Sequence, residues 1–138
     1  ENLEEALEEA NVFSSVQTIF SSYVELADDG NLEALKRALF YAWYEKAEPH
    51  VFSGMKFLDT ESSERVLKLV GQYFELEANP DDEILAMFSH YQLITDWYFE
   101  NLNTFPTPEK LSKSSYSKIK SVDERGLMGR YWESILKT

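Results

Sequence analysis

The residues best equipped for chemistry are two histidines, His50 and His90, and a set of carboxylates close to two tryptophans. A histidine serves as a general base or a metal ligand near neutral pH. A metal pair on one helical turn needs a second ligand three or four residues away, and no HxxxH, HxxE or ExxH spacing involves either histidine. His90 lies between Phe88 and Tyr91 on an apolar stretch and is expected to be a structural histidine with one satisfied nitrogen. Glu45, Glu48, Asp96 and Glu100 would form a paired-carboxylate site if the helix ends that carry them met. With 25 acids in 138 residues, such sets arise freely by chance. No catalytic residue, metal or cofactor is therefore assigned.

Tyr41, Tyr44, Glu45 and Glu48 carry a more specific pattern. At helical spacing they share one face, where a partner's lysine or arginine would find a ring to sit on and a carboxylate to pair with. Aromatic anchors also dominate affinity at protein interfaces. This quartet is the expected contact with a protein partner. The neighbouring Trp43 and Trp97 are expected in the core.

Helices must position these groups. Residues 81–103 read as one long helix, capped by Asn79 with Pro80 at its first position. Ile84, Met87, Phe88, Tyr91, Ile94 and Tyr98 recur along it at helical spacing, and it is apolar enough to be the central helix of a bundle. A first helix spans residues 2–28, with a break near residue 11, and stops at Asp28-Asp29-Gly30-Asn31. A second runs over 32–48 with Asn31 as its cap, and Pro49 ends it. Residues 50–58 form an irregular apolar connector. A third helix starts at an Asp59 or Thr60 cap and reaches Glu77, and a last one covers 123–136. Serine-rich residues 112–121 are the expected mobile segment. The pattern predicts an all-α fold, a single-domain bundle of about five helices over residues 1–138. Within it, Leu39 and Trp43 are echoed by Leu93 and Trp97, each pair four apart and followed by a glutamate. Two copies are too few for a repeat array.

Charge narrows the function. The chain carries a net charge of −12. Residues 108–138 hold seven of the 13 Lys+Arg and four of the 25 Asp+Glu, a balance of +3, which leaves −15 for residues 1–107. Nucleic acid and anionic membrane both want basic surfaces, so neither is an expected partner. There is no cysteine for a disulfide or a zinc–thiolate site. No segment reads as a signal peptide or a membrane span, and a cytoplasmic location is expected. The chain begins at Glu1 rather than Met, as a trimmed protein or a piece of a larger one would. Three function classes follow: an immunity-like or antitoxin-like inhibitor that binds a basic protein, a structural or adaptor domain of a larger chain, and a small helical enzyme using His50 and nearby carboxylates. Acidic charge together with aromatic residues favours the first.

Overall fold

The computed structural model describes residues 13–47, 58–100, 106, 115–120 and 123–137. Its five α-helices are α1 (Phe13–Asp28), α2 (Leu32–Ala47), α3 (Thr60–Leu76), α4 (Asp82–Ile94) and α5 (Gly126–Leu136). Short 3-10 turns occupy Asp96–Phe99, Tyr116–Lys118 and Asp123–Arg125, and there is no strand among the described residues. The architecture is an all-α bundle of about five helices. The apolar connector expected after the second helix lies outside the described residues, except for the buried Leu58.

The turn between α1 and α2 follows directly from Asp29-Gly30-Asn31. Gly30 takes φ 98°, the left-handed region that favours glycine. The Asn31 amide then donates to the Leu26 carbonyl and the Gly30 amide to the Ala27 carbonyl, closing the last turn of α1. Asn31 also caps α2, its Oδ1 accepting from the Ala34 amide at 2.9 Å. Asp59 caps α3 by accepting from the Ser62 amide at 2.9 Å, while its own amide donates to Gln17 on α1 at 2.7 Å.

The stretch expected as one long helix departs from expectation at both ends. Asp81, not Asn79, is the cap, accepting from the Ile84 amide at 3.0 Å. The Asp81 amide donates to the Tyr73 hydroxyl at 2.8 Å, and its carboxylate pairs with Lys36 at 2.9 Å. These tertiary partners fix the start two residues later than the local signal. At the other end α4 stops at Ile94. Thr95 leaves helical angles (φ −137°, ψ 66°), and its hydroxyl donates to the Tyr91 carbonyl at 3.0 Å while accepting from the Trp43 indole at 2.7 Å.

The most enclosed helix is α2, which packs against α1, α3, α4 and α5 and buries ten of its 16 residues. The centre of the bundle is therefore α2, with α4 beside it, rather than α4 alone. Trp43 stacks on Tyr91 with ring centroids 4.3 Å apart, Phe88 meets Phe74 of α3 at 5.1 Å, and Trp132 of α5 covers His90 at 4.6 Å.

Candidate functional site

The densest set of ionisable groups joins α2, α4 and the C-terminal segment. The Glu83 Oε1 accepts from Lys36 at 2.9 Å and from Arg125 Nη2 at 2.6 Å. Its Oε2 accepts from Arg125 Nη1 at 2.5 Å and from the Lys120 amide at 2.7 Å. Arg125 also grips Glu33 through Nε at 2.9 Å and Nη2 at 2.6 Å. Burial alone would raise the Glu83 carboxyl, but the Arg125 bonds, the Lys120 amide and Lys36 outweigh it and hold its pKa at about 2. Every Glu83 oxygen is engaged, so this cluster fastens the C-terminal segment and offers no general base.

His90 is similarly committed. Its Nδ1 lies 3.0 Å from the Tyr116 hydroxyl and its Nε2 2.8 Å from the Tyr131 hydroxyl. Sequence reasoning expected one satisfied nitrogen, and the fold satisfies both. Desolvation lowers its pKa to about 4, so the ring is neutral at pH 7, donating through one nitrogen and accepting through the other. Tyr116 belongs to residues 115–120, part of the stretch expected to be mobile, and here they form a 3-10 turn against α4. His50 lies outside the described residues. Among the described residues no three acids or histidines converge as a metal site would require.

The quartet predicted to contact a partner does not form a shared exposed face. Tyr41 is buried against Phe20 and Tyr23, whose rings lie 6.4 and 5.9 Å away. Tyr44 is half-buried, stacked on Phe40 at 5.0 Å and beside Tyr131 at 5.6 Å. Glu45 is buried and accepts from the Leu58 amide at 2.9 Å, which pins the far end of the connector. Glu48 lies outside the described residues. The correction has a physical cause: with α1, α3, α4 and α5 all packed on α2, Tyr41 and Glu45 are buried and Tyr44 is half-buried. Of the four carboxylates considered as a set, Glu45 is buried, Asp96 and Glu100 are exposed, and Glu48 lies outside the described residues.

The surface that sequence reasoning missed follows the break in α4. Leu93 is 81% exposed and Trp97 53%, with Ile94 also open and Asp96 and Glu100 exposed alongside. Leu93 is already open within α4, and Trp97, four residues on in the 3-10 turn, is open too. The local signal was Thr95-Asp96, two weak helix formers. Nearby, the Tyr98 hydroxyl is buried with no hydrogen-bond partner among the described residues, and burial raises its pKa with help from the Glu45 charge.

A second open feature is a cleft of about 290 Å³ at the other end of the bundle. It lies between the α1–α2 turn and the last turns of α3, floored by Leu32, Leu35, Leu69 and Tyr73. Leu76, 81% exposed, forms its lip. Comparison of the chain with protein-family models, curated proteins and solved structures found no match.

Proposed function

We propose that this chain is an acidic helical interaction domain that binds a basic protein, as an immunity-like or antitoxin-like inhibitor does, through the surface around Trp97. The supporting observation is the exposure of Trp97 and Leu93 together, flanked by Asp96 and Glu100. Tryptophan is among the commonest interface hot spots, and an exposed tryptophan beside a leucine is seldom left to water without use. The acids supply what a lysine or arginine on the partner needs, and a net charge of −12 steers such a partner in. Among the described residues, His90 and Glu83 are both engaged by other side chains. No helix among the described residues is long and apolar enough to cross a membrane.

The test is affinity capture from the native cell at low and high salt, with wild type, Trp97→Ala and Glu100→Lys as parallel baits. A partner of basic composition should be retained by wild type at low salt and lost with Trp97→Ala. Once it is identified, calorimetry should show a loss of ~2 kcal/mol or more for Trp97→Ala. Glu100→Lys should mainly slow association. A partner held equally by all three baits would remove the assignment of this surface.

A further inference from the structure

His90 joins α4 to two later elements, and the two sides of its ring are built differently. On the Nδ1 side is Tyr116, 3.0 Å away and 46% exposed, in the three-residue turn Tyr116–Lys118. That side borders a recess of about 360 Å³ between Ala86, Ser89 and Leu93 of α4 and the pair Ser115-Tyr116. On the Nε2 side is Tyr131 of α5, 2.8 Å away and packed against Phe40, Trp43 and Tyr44. Trp132, fully buried, covers the ring from the same helix. Among the described residues, the side chains that face the imidazole carry no charge at neutral pH. They are Trp43 from α2, Tyr116 from the turn, Tyr131 and Trp132 from α5, and Tyr91 from α4 itself. The charged side chains of these elements are held elsewhere or face solvent. Glu45 accepts from the Leu58 amide, Glu83 holds Arg125 and Lys36, and Lys118 reaches Asp82 at 4.0 Å. On α5, Glu133 pairs with Lys137 at 3.4 Å and Arg130 is exposed.

An imidazolium does not fit this arrangement. The neutral ring donates through one nitrogen and accepts through the other, whereas the protonated ring has two donors and no acceptor, so one phenol loses the partner for its proton. Burial with no counter-charge disfavours the charged form and lowers its pKa to about 4. Water relieves both problems, and the recess brings water to the Nδ1 side. We propose that protonation of His90 releases the Tyr116 turn and leaves α5 in place, so that the recess beside Leu93 opens while the bundle stays closed. The part that moves is set by its anchors. Residues 115–118 are all exposed, and burial resumes at Ile119. The Lys120 amide, next along, is held by Glu83, which Arg125 also grips. That anchor outlasts the His90 bond in acid, because the Glu83 carboxyl, with its pKa at about 2, is still ionised where His90 takes up its proton. The hinge therefore lies at Ile119. Opening is favoured as pH falls, because the closed ring has a pKa of about 4 and a hydrated one the usual 6.5. The opening constant rises by up to about tenfold per pH unit across that window. The movement widens the apolar face that Leu93 shares with Trp97, and it does not depend on what binds there.

The experiment is amide hydrogen exchange on the full chain, read by NMR from about pH 7 to about pH 4.5 and corrected for the intrinsic pH dependence of exchange. The Lys118 and Ile119 amides close the turn on the Ser115 and Tyr116 carbonyls. Their protection should fall by up to about tenfold per pH unit below pH 6.5, while the Trp132 amide in α5 keeps its own. His90→Gln, which has no proton to gain in this range, should make the protection of the turn independent of pH. Tyr116→Ser, at an exposed position, should hydrate the Nδ1 side and raise the pKa of His90 toward 6.5 with α5 still protected. Loss of protection at Trp132 in step with Lys118 would mean that the whole segment opens, and would overturn the hinge at Ile119. An equally steep fall in His90→Gln would assign the opening to another group. Constant protection of the turn in the wild type, or an unmoved His90 pKa in Tyr116→Ser, would overturn the coupling itself.

Discussion

In α2, Leu39 and Trp43 stand four residues apart and are 0% and 1% exposed. At the end of α4, Leu93 and Trp97 have the same spacing and lie open to solvent; a tyrosine follows each pair, and a glutamate comes next after Tyr44 but only after Phe99 in the second. The glutamates follow suit: Glu45 is buried on the Leu58 amide and Glu100 is exposed. The two segments differ in what surrounds them and in whether the helix continues. Around Trp43 the helix is unbroken, and Tyr91 of α4 and Tyr131 of α5 lie against the indole. Around Trp97 the helix has already ended, and the residue that ends it, Thr95, is held by the Trp43 indole itself. One hydrogen bond therefore joins the enclosed tryptophan to the residue at which α4 stops, two positions before the open one. Local spacing sets which side chains share a face, and the neighbours decide whether that face is wet.

The sharpest way to break this comparison is to truncate each tryptophan. Trp43→Ala should cost ~3–5 kcal/mol of stability, since it empties a closed core. Trp97→Ala should stay within about 0.5 kcal/mol, as an exposed substitution does. Urea unfolding of the two variants measures both, and equal losses would mean that the segments are alike after all. A smaller effect is expected at the link between them. Thr95→Val keeps the shape but leaves the Trp43 indole N–H without its acceptor, at a cost of ~1–3 kcal/mol. An unchanged unfolding curve, with an unmoved Trp43 indole resonance, would show that the break in α4 does not depend on that bond.

The smallest effect concerns His90, whose ring lies 6.1 Å from that of Trp43 on the enclosed side. Its folded pKa of about 4 is below the usual 6.5, so the folded state resists protonation more than the unfolded chain does. The stability it supports is complete above pH 6.5 and is lost as pH falls toward 4. Between pH 7 and 6 the loss should be under about 1.4 kcal/mol, the limit for one proton over one pH unit. His90→Gln should flatten that part of the profile. Glu83, with its pKa lowered to about 2, should add a separate loss below pH 4.5 that Glu83→Gln removes. An NMR titration that placed His90 near 6.5 would put it on the open side of the comparison.

Legibility in the sequence tracked the range of the interaction. The stop at Gly30 and the caps at Asn31 and Asp59 use partners within five residues, and all were readable. Ile19, Phe20, Val66, Val70, Met128 and Trp132 lie in the core, on the apolar stripes of α1, α3 and α5. What could not be read was settled by distant residues. Thr95-Asp96 weakens the helix locally, but the partner that holds the break, Trp43, is 52 positions from Thr95. Arg125 is 42 positions from Glu83, so nothing beside that acid in the first turn of α4 announces its guanidinium partner. The same holds for the expected site: Tyr41 and Glu45 look like surface residues until Phe20, Tyr23 and Leu58 arrive to cover them. The open surfaces at Trp97 and Leu76 are visible only after the rest of the bundle has been placed.

The grip of Arg125 on Glu83 and Glu33 bears on how the chain is made. Synthesis runs from the amino end, so Glu33, Lys36 and Glu83 all leave the ribosome before Arg125 exists. During that interval the site on α2 and α4 that Arg125 will fill must stay hydrated, because desolvating Glu83 without its guanidinium would cost more than Lys36 alone returns. Trp132 is also still to come, and His90 and Tyr91 remain uncovered on that side. Arg125 and Trp132 are thus the last-made members of the contacts that cover Glu83, His90 and Tyr91.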